Sequence, residues 1–313
     1  MEKVRDFELS KGVSADALVR QMLASGGFTA KNLAIAVEIL ETMLKEKNIL
    51  NFLSFPACII ATGARGIIRD IVKQKWFQIV VTTCGTLDHD LARCYRDYFQ
   101  GDFYMDDKEL HRRSVSRIGN VLVPNANYGE IIEEKMTQFL NSIYMEGKRE
   151  LATYELCWEI GKRLNENSIL YWCWKNRIPV IVPGITDGAV GYQLWLFSQD
   201  HKDLTINVLK DEQLLNDMVW QTKKSGALII GGGISKHHVL WWNLFKKGLD
   251  YAVYVTTAVE YDGSLSGARP REAISWGKIQ EKAKTITVEA DATIALPIMY
   301  AALLERLEKA SAV

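Results

Sequence analysis

Short runs of β-branched and aromatic residues alternate along this chain with longer stretches in which apolar residues recur at helical spacing. The short runs predict buried strands, and the longer stretches predict helices. Strands are predicted at Asn51–Phe55, Phe77–Thr83, Ile178–Val182, Ala227–Ile230, Tyr251–Thr257 and Ile286–Ala290. Helices are predicted at Pro56–Lys75, Leu87–Tyr98, Ile131–Ile143, Glu150–Leu164, Asp211–Lys224, Ser235–Lys247 and Ala292–Leu307.

The order of these elements predicts the fold class. Strands that alternate with helices and are almost continuously hydrophobic are typical of a parallel sheet covered on both faces. We therefore expect an α/β fold with a doubly wound, mostly parallel sheet, as in Rossmann-like domains. Residues 1–45 are mainly helical in pattern, which predicts an N-terminal helical segment before an α/β domain over residues 46–313. In the predicted helix Leu87–Tyr98, Asp88 and Asp90 suit the N-terminus.

Charge and composition change this picture only by exclusion. Lysine plus arginine equals aspartate plus glutamate at 38 residues each, and a nucleic-acid-binding protein usually carries a basic excess, so we expect no nucleic-acid partner. No apolar run approaches the roughly 20 residues that span a bilayer, and the polar N-terminus lacks a secretory pattern. We therefore expect a cytoplasmic protein. The cysteines and histidines show no paired metal-ligand spacing, so no metal site is expected.

Small and polar residues follow four of the predicted strands. These segments are Thr82–Thr86, Thr186–Gly188, Gly231–Gly233 and Thr256–Ala258. In an open parallel sheet, ligands bind beyond the carboxyl ends of the strands, where helix N-termini present free N–H groups. The sequence therefore predicts a binding site at this edge of the sheet.

Several of these residues have two interpretations. Gly231–Gly233 could let the backbone approach a pyrophosphate, or could form a plain strand-to-helix turn, because it is not a complete dinucleotide fingerprint. Asp187 could bind ribose hydroxyls or cap the following helix. His237 and His238 could simply make the helix surface polar, or one of them could act as an acid–base group beside the glycines.

The segment from Glu260 to Ile279 is the richest in chemically useful residues. Its glycine, serine, aspartate and proline content predicts a long ordered loop over Asp262–Pro270. Glu272 and Trp276 are four residues apart, so on a helical turn they share a face that suits an aliphatic ammonium. Lys278 follows closely. An amine beside apolar surface suits a Schiff-base nucleophile, although Lys278 could equally be an ordinary surface lysine.

Residues Asp262–Lys278 resemble the signature of deoxyhypusine synthases, Asp-Gly-Ser-x-Ser-Gly-Ala-Arg-Pro-x-Glu-Ala-x-Ser-Trp-Gly-Lys. Further motifs stand in the order of that family. They are Thr82–Gly85, Thr186–Gly188, Gly231–Gly233, Lys236–His238 and Glu289–Ala292. The resemblance covers the chain from about Ile49 to about Leu296.

The resemblance implies an NAD-dependent aminobutyl transferase. In this family a hydride passes from spermidine to NAD, and a lysine then carries the aminobutyl group as an imine. A lysine of the hypusine-containing translation factor receives the group, and the hydride returns. Here Lys278 matches the covalent lysine, and His237 matches the active-site histidine. The family also implies a homotetramer with interface active sites, where residues 1–20 could cover a neighbouring site entrance.

The resemblance also assigns binding positions. The NAD positions are Thr83, Cys84, Gly85, Asp187, Gly231, Gly232, Thr257, Ala258, Asp262, Asp291 and Ala292. The polyamine positions are Gly263, Ser264, Glu272 and Trp276, with Asp88 and His89 as further candidates for holding an amine.

Departures from the eukaryotic pattern leave the donor open. Acids are expected where Tyr192 and Leu265 stand, an asparagine where Trp241 stands, and two glutamates where Asp88 and His89 stand. A buried ammonium needs a paired charge. We therefore expect either a different recognition of spermidine or another aminobutyl donor such as agmatine. A homospermidine-forming relative and a non-catalytic NAD-binding oligomer are the alternatives. The short N-terminus and short loops are typical of an archaeal member.

Overall fold

The computed structural model describes residues 1–311, and these form two compact units. The first comprises residues 1–55, 76–78 and the chain from Leu215 onward, and the second comprises residues 56–75 and 79–214. The helices are α1 (Ala15–Ala24), α2 (Phe28–Lys45), α3 (Ala64–Lys73), α4 (Cys84–Ala92), α5 (Asp107–Arg112), α6 (Gly129–Met145), α7 (Thr153–Lys162), α8 (Ile169–Asn176), α9 (Ala189–Asp200), α10 (Leu209–Gln221), α11 (Gly233–Leu244), α12 (Pro270–Ser275) and α13 (Ala292–Ser311). The strands are β1 (Ile49–Ser54), β2 (Ile79–Val81), β3 (Phe99–Gln100), β4 (Val115–Ile118), β5 (Val121–Pro124), β6 (Glu150–Leu151), β7 (Val180–Ile181), β8 (Thr205–Ile206), β9 (Lys224–Ile230), β10 (Leu249–Thr256) and β11 (Ile279–Glu289).

The first unit is built on four parallel strands in the order β11, β10, β9 and β1. The register places Phe52 and Ala252 on either side of Ala227, and all three side chains are fully buried. A strand that is buried on both faces carries apolar side chains on both of them, so its sequence does not alternate between polar and apolar residues. This burial explains why β1, β9 and β10 have almost continuously hydrophobic sequences.

Helices α2 and α11 cover opposite faces of this sheet. A Cβ at Gly226 of β9 would lie 2.4 Å from the sulfur of Met43, so only glycine lets α2 approach this closely. Tyr251 of β10 is in register with Gly226 and shares its face. Tyr254 lies three residues further and points to the other face, where Lys236 of α11 covers its ring.

The N-terminal helices belong to the first unit, in which α1 and α2 pack on α13. A buried arginine joins the three helices. Arg306 of α13 donates to Asp16 of α1 at 2.5 Å and to Glu41 of α2 at 3.0 Å. Residues 1–14 contain no helix and are largely exposed, so the helical segment is shorter than predicted. The predicted domain boundary at residue 45 stays a prediction.

The second unit combines short strands with seven helices among its described residues. Strands β2 and β7 form a parallel pair, β6 and β8 form another, and β3, β5 and β4 form an antiparallel sheet. Helices α7 and α8 pack closely on each other. A Cβ at Gly161 of α7 would lie 2.2 Å from the carbonyl oxygen of Leu170 in α8, so this contact requires glycine.

The predicted fold class is confirmed, because a mostly parallel sheet is flanked by helices. The prediction placed the last strand at Ile286–Ala290, whereas β11 begins seven residues earlier, at Ile279. Its first half carries exposed charged residues, which hid it from a search for apolar runs. The pattern also missed α8, α9 and the antiparallel strands. In the part of the chain that is described, no helix is both long and apolar enough to cross a membrane.

Candidate active site

The glycine turn after β9 leads directly into α11. Gly231 and Gly233 have φ angles of 68° and 69°, a left-handed backbone that glycine adopts without strain. A Cβ at Gly232 would lie 2.4 Å from the Cα of Ser266, so this glycine makes room for the loop that follows β10. The fold itself therefore explains all three glycines. Their contact with a nucleotide stays a prediction.

The loop Asp262–Arg269 is ordered by its own hydrogen bonds. Asp262 Oδ1 accepts a hydrogen bond from the backbone N–H of Ser264 at 2.7 Å, and the hydrogen bonds from Ser264 lower the pKa of the Asp262 carboxyl. The Ser264 hydroxyl accepts from Gly267 N, and its carbonyl accepts from Ala268 N. The segment therefore has a defined conformation in which Asp262 and Ser264 are exposed.

Lys278 stands immediately before β11, after a turn at the end of α12. Gly277, with φ of 70°, turns the chain between the helix and the strand. The Lys278 Nζ lies 5.2 Å from the ring centroid of Trp276, which is within range of a cation–π interaction. Lys278 is half-buried, whereas Trp276 is 66% exposed and Glu272 is also exposed. The turn thus presents an amine against an indole, with a carboxylate one helical turn away.

His237 of α11 lies close enough to Lys278 for the lysine charge to change the pKa of the imidazole. Partial burial, and then the ammonium of Lys278, lower the pKa of His237. The ring of His237 stacks at 19° on that of Trp241, with 6.1 Å between the centroids. A histidine in this state is mainly neutral at pH 7 and can accept a proton. The sequence left the choice between His237 and His238 open, and this geometry favours His237.

The remaining NAD positions of the first unit lie at strand ends. They are Thr257, Ala258, Asp291 and Ala292. Ala258 follows β10, and its N–H donates to Thr256 Oγ1 at 3.1 Å. Asp291 follows β11 and precedes α13, where its Oδ1 accepts from Thr293 N at 2.9 Å. Asp291 therefore caps α13. Its carboxylate is also exposed, and its contact with NAD stays a prediction.

In the second unit, α4 begins directly after β2. Thr83 precedes the helix, and its hydroxyl accepts from Ala57 N at 3.2 Å. Burial, and then the charge of Asp88, raise the pKa of the Cys84 thiol to about 12. Cys84 is therefore an uncharged thiol at pH 7 and does not act as a nucleophile. A Cβ at Gly188 would lie 2.8 Å from the Cys84 sulfur, so the turn after β7 packs on the start of α4.

Asp88 caps a helix other than its own, which corrects the prediction that it marks the N-terminus of α4. It lies in the middle of α4, and its oxygens accept from Ala189 N at 2.9 Å and Val190 N at 2.8 Å, at the start of α9. The hydroxyl of Tyr128 donates to the same carboxylate at 2.8 Å. Burial raises the pKa of Asp88. Asp187 is exposed and does not cap α9, so the structure leaves its ribose-binding interpretation open.

Asp90 has the same kind of role for α8. Its carboxylate accepts from Ser168 Oγ at 2.6 Å, Ile169 N at 3.1 Å and Leu170 N at 3.0 Å. Arg65 donates to it at 2.8 Å, and the acid is fully buried. Sequence reasoning missed this role because the partners lie about 80 residues away along the chain. The signal that could have shown it is the pair of acids two residues apart within a buried helix.

His89, the third residue of this group, is also enclosed. Its Nδ1 lies 2.9 Å from the Tyr98 hydroxyl, and its side chain is almost completely buried. Burial, and then the charge of Arg93, lower the pKa of His89 to about 4. Asp88 and His89 therefore already have partners within the protein. Their proposed contact with an amine stays a prediction.

The lowered pKa of His89 makes stability sensitive to acid. The folded state keeps the imidazole neutral, whereas the unfolded chain takes up a proton below pH 6.5, so stability present at pH 7 is lost as the pH falls towards 4. We expect His89 to lower the free energy of unfolding by on the order of 3 kcal/mol as the pH falls over this range. The free energy of unfolding of His89→Gln should fall by correspondingly less. Urea unfolding at pH 7, 5.5 and 4.5 measures the difference between the two proteins.

The pH dependence of His89→Gln must be compared with that of the wild type, because a second buried group, Asp211, also changes stability with pH. Burial raises the pKa of Asp211 to about 6, so its protonation stabilises the folded state on acidification, with the opposite sign. Asp211 is present in both proteins, and its contribution cancels in the difference. Equal slopes for the wild type and His89→Gln would show that His89 is not held neutral.

A family model described as deoxyhypusine synthase matches residues 17–303. The chain belongs to the deoxyhypusine synthase family. A protein of Picrophilus torridus, named "Probable deoxyhypusine synthase", is 50% identical over 305 residues, which is 97% of each chain. A protein of Thermoplasma acidophilum with the same name is 52% identical over 302 residues, 96% of this chain and 97% of that one.

A solved structure supports the fold of this family member. The protein comes from Entamoeba histolytica, and the structure is described as that of "a putative deoxyhypusine synthase". It superposes with a TM-score of 0.70 and 20% identity, covering 96% of this chain and 97% of that one. The resemblance to the deoxyhypusine synthase family is thus confirmed, and archaeal relatives are prominent among the matches. The homospermidine-forming, agmatine-using and non-catalytic alternatives are not favoured.

Proposed function

We propose that the chain is a deoxyhypusine synthase that transfers the aminobutyl group of spermidine to one lysine of the hypusine-containing translation factor. Membership of the deoxyhypusine synthase family supports this reaction class. The observation that carries the proposal is the half-buried Lys278, whose amine lies against Trp276 and close to His237. A nucleophilic lysine needs a neighbouring base, because an ammonium cannot attack an imine.

The residues around Lys278 account for the transfer. His237, neutral at pH 7, can accept the proton that Lys278 Nζ releases when the amine forms its bond to the donor carbon. The amine then attacks the imine carbon of the oxidised donor, diaminopropane leaves, and the four-carbon unit stays on Nζ as an imine. Attack by the acceptor lysine releases Lys278 again. The face of Trp276 lies beside the amine at cation–π range.

The start of α11 in the first unit suits a dinucleotide. This helix has no side-chain cap at its N-terminus, which leaves backbone N–H groups for phosphate. Asp262, in the same unit, is an exposed carboxylate that suits ribose hydroxyls. The chemistry that NAD supplies when bound is removal of a hydride from the donor amine and its later return. We propose NAD as the cofactor on this basis.

A related donor is the second candidate, and uncharged exposed side chains of the first unit support it. Leu265 and Trp241 stand where the family's eukaryotic pattern has polar side chains, and both are exposed, by 36% and 42%. Indole and phenol rings attract cations through their faces, and a planar guanidinium stacks on them well. We therefore propose agmatine as the alternative donor.

The proposed assembly also follows from the family. We propose a homotetramer in which active sites form at subunit interfaces, with the translation factor as the protein substrate. Large exposed side chains support an interface, since a surface tyrosine and tryptophan at loop tips are costly to leave in water. Tyr261 is 90% exposed and Trp276 is 66% exposed.

Borohydride trapping tests the proposed reaction and separates the donors. The protein is incubated with NAD and either spermidine or agmatine, reduced with borohydride, and its intact mass and peptides are measured. We expect a four-carbon amine adduct on Lys278. An adduct with agmatine but not with spermidine would change the donor and keep the mechanism. No adduct with either amine, while NAD binds, would contradict the proposed function.

A further inference from the structure

Lys236 is a buried cation that the proposed reaction does not use. It lies in the second turn of α11 and is 1% exposed. Its ammonium donates to the carbonyl oxygens of Leu265 at 2.6 Å and Ala268 at 2.7 Å. It also lies 4.1 Å from the ring centroid of Tyr254 on the sheet. The side chain of Lys236 therefore contacts the loop Asp262–Arg269 and strand β10 as well as belonging to helix α11.

The environment of Lys236 is unfavourable for a charge. No carboxylate among residues 1–311 forms an ion pair with it, and burial lowers its pKa to about 8, while Glu272 raises this pKa and Arg269 lowers it further. A buried charge compensated only by carbonyl dipoles and an aromatic face is expensive. Helix-to-strand packing alone would be better served by an apolar side chain. The cost indicates that Lys236 does something other than fill the core.

The two carbonyls that Lys236 holds bracket the centre of the loop. Between them, Ser266 packs on Gly232 so tightly that a Cβ there would lie 2.4 Å from the serine backbone. Two residues after Ala268 the chain enters α12, whose end carries Trp276 and Lys278. The position of the loop therefore determines where α12 begins, and hence where the amine of Lys278 points.

We propose that Lys236 is a positioning residue, which holds the loop Asp262–Arg269 against α11 and thereby keeps Lys278 beside His237. The inference rests on the proposed function for its consequence in catalysis. His237 is the next residue of α11, so the same turn that anchors the loop also carries the proton acceptor. Displacement of a reacting group by about 1 Å can cost about 100-fold in rate.

Three variants test this role. Lys236→Met keeps an unbranched side chain, one atom shorter, and removes the charge, whereas Lys236→Arg keeps the charge. Lys246→Met is the matched control, because Lys246 follows the same helix, is half-buried and donates to Thr222 Oγ1 at 2.7 Å far from the loop. Hydrogen exchange of the loop amides and the rate of borohydride-trapped adduct at saturating donor are measured for each.

We expect Lys236→Met to exchange the amides of Gly267 and Ala268 at least about 10-fold faster, with other regions unchanged, and to form the Lys278 adduct about 10- to 100-fold more slowly. The loss should lie in the saturated rate, with little change in the half-saturating donor concentration. Lys236→Arg should recover part of the rate. Lys246→Met should match the wild type in both measurements.

Several outcomes would overturn the inference. Adduct formation by Lys236→Met at the wild-type rate would remove the catalytic consequence. Unchanged exchange of the loop amides would show that Lys236 does not hold the loop. Faster exchange throughout the first unit in both Lys236 variants would make the lysine a general structural residue. No adduct in the wild type would instead contradict the proposed function, and the exchange measurement would still test the anchoring.

Discussion

Replacing Lys278 with arginine should abolish covalent adduct formation and lower the transfer rate by on the order of 1,000-fold or more. A guanidinium stays protonated at every accessible pH and cannot form the imine. The substitution keeps the positive charge beside Trp276, so the local electrostatics and the fold should be preserved. Removing the only group that carries the transferred unit affects every turnover, which is why this is the largest effect on activity that we expect.

The measurement compares trapped mass and transfer rate with those of Lys282→Arg. Lys282 lies on β11, the strand that follows Lys278, and is exposed, so the control changes the same residue type nearby. Circular dichroism and the melting temperature show whether each variant is folded. Transfer by a folded Lys278→Arg within about 10-fold of the wild-type rate would mean that the aminobutyl group passes directly to the acceptor, without a covalent enzyme intermediate.

The central strands could be predicted because burial leaves a local trace. β1, β9 and β10 are mostly apolar, and each predicted strand overlaps the observed one. β11 shows the limit of this reasoning. It lies at the edge of the four strands of the first unit, and its exposed half reads as a polar segment. Hydrophobic pattern reports which residues are covered, and a strand with one solvated side gives a weaker signal.

The residues of the candidate site also fall into two groups, those that local sequence could identify and those whose partners lie far away along the chain. Lys278, Trp276 and Glu272 could be proposed from one segment, because their chemistry and spacing are local. Asp88 was assigned to the start of its own helix, since acids at the start of a helix are common. Its actual partners, the first amides of α9, lie about 100 residues away. Only the fold shows such long-range pairs, and the anchoring contacts of Lys236 belong to the same class.

Replacing Asp90 with asparagine should lower the free energy of unfolding by about 3–5 kcal/mol. The substitution keeps the size of the side chain and removes its charge, so the Arg65 guanidinium, which is 8% exposed, loses its buried counter-charge. The asparagine amide would also meet the N–H groups of Ile169 and Leu170 with one oxygen where the carboxylate has two. Both losses act on the start of α8. Urea unfolding at pH 7, followed by the circular dichroism of the helices, measures the change.

Two further variants show whether the loss of stability comes from the unpaired charge of Arg65 or from the lost cap of α8. Glu109→Gln breaks an exposed ion pair with Arg112, and exposed pairs contribute little, so its unfolding curve should overlie that of the wild type. Arg65→Met combined with Asp90→Asn removes both charges, and it should recover part of the stability if the unpaired guanidinium is the main cost. If the double variant were as unstable as Asp90→Asn alone, the loss would come from the uncapped α8. A loss under about 1 kcal/mol in Asp90→Asn would mean that the other acceptors of Arg65, the Asp90 carbonyl oxygen and the Cys94 sulfur at 3.2 Å each, satisfy the guanidinium without the carboxylate.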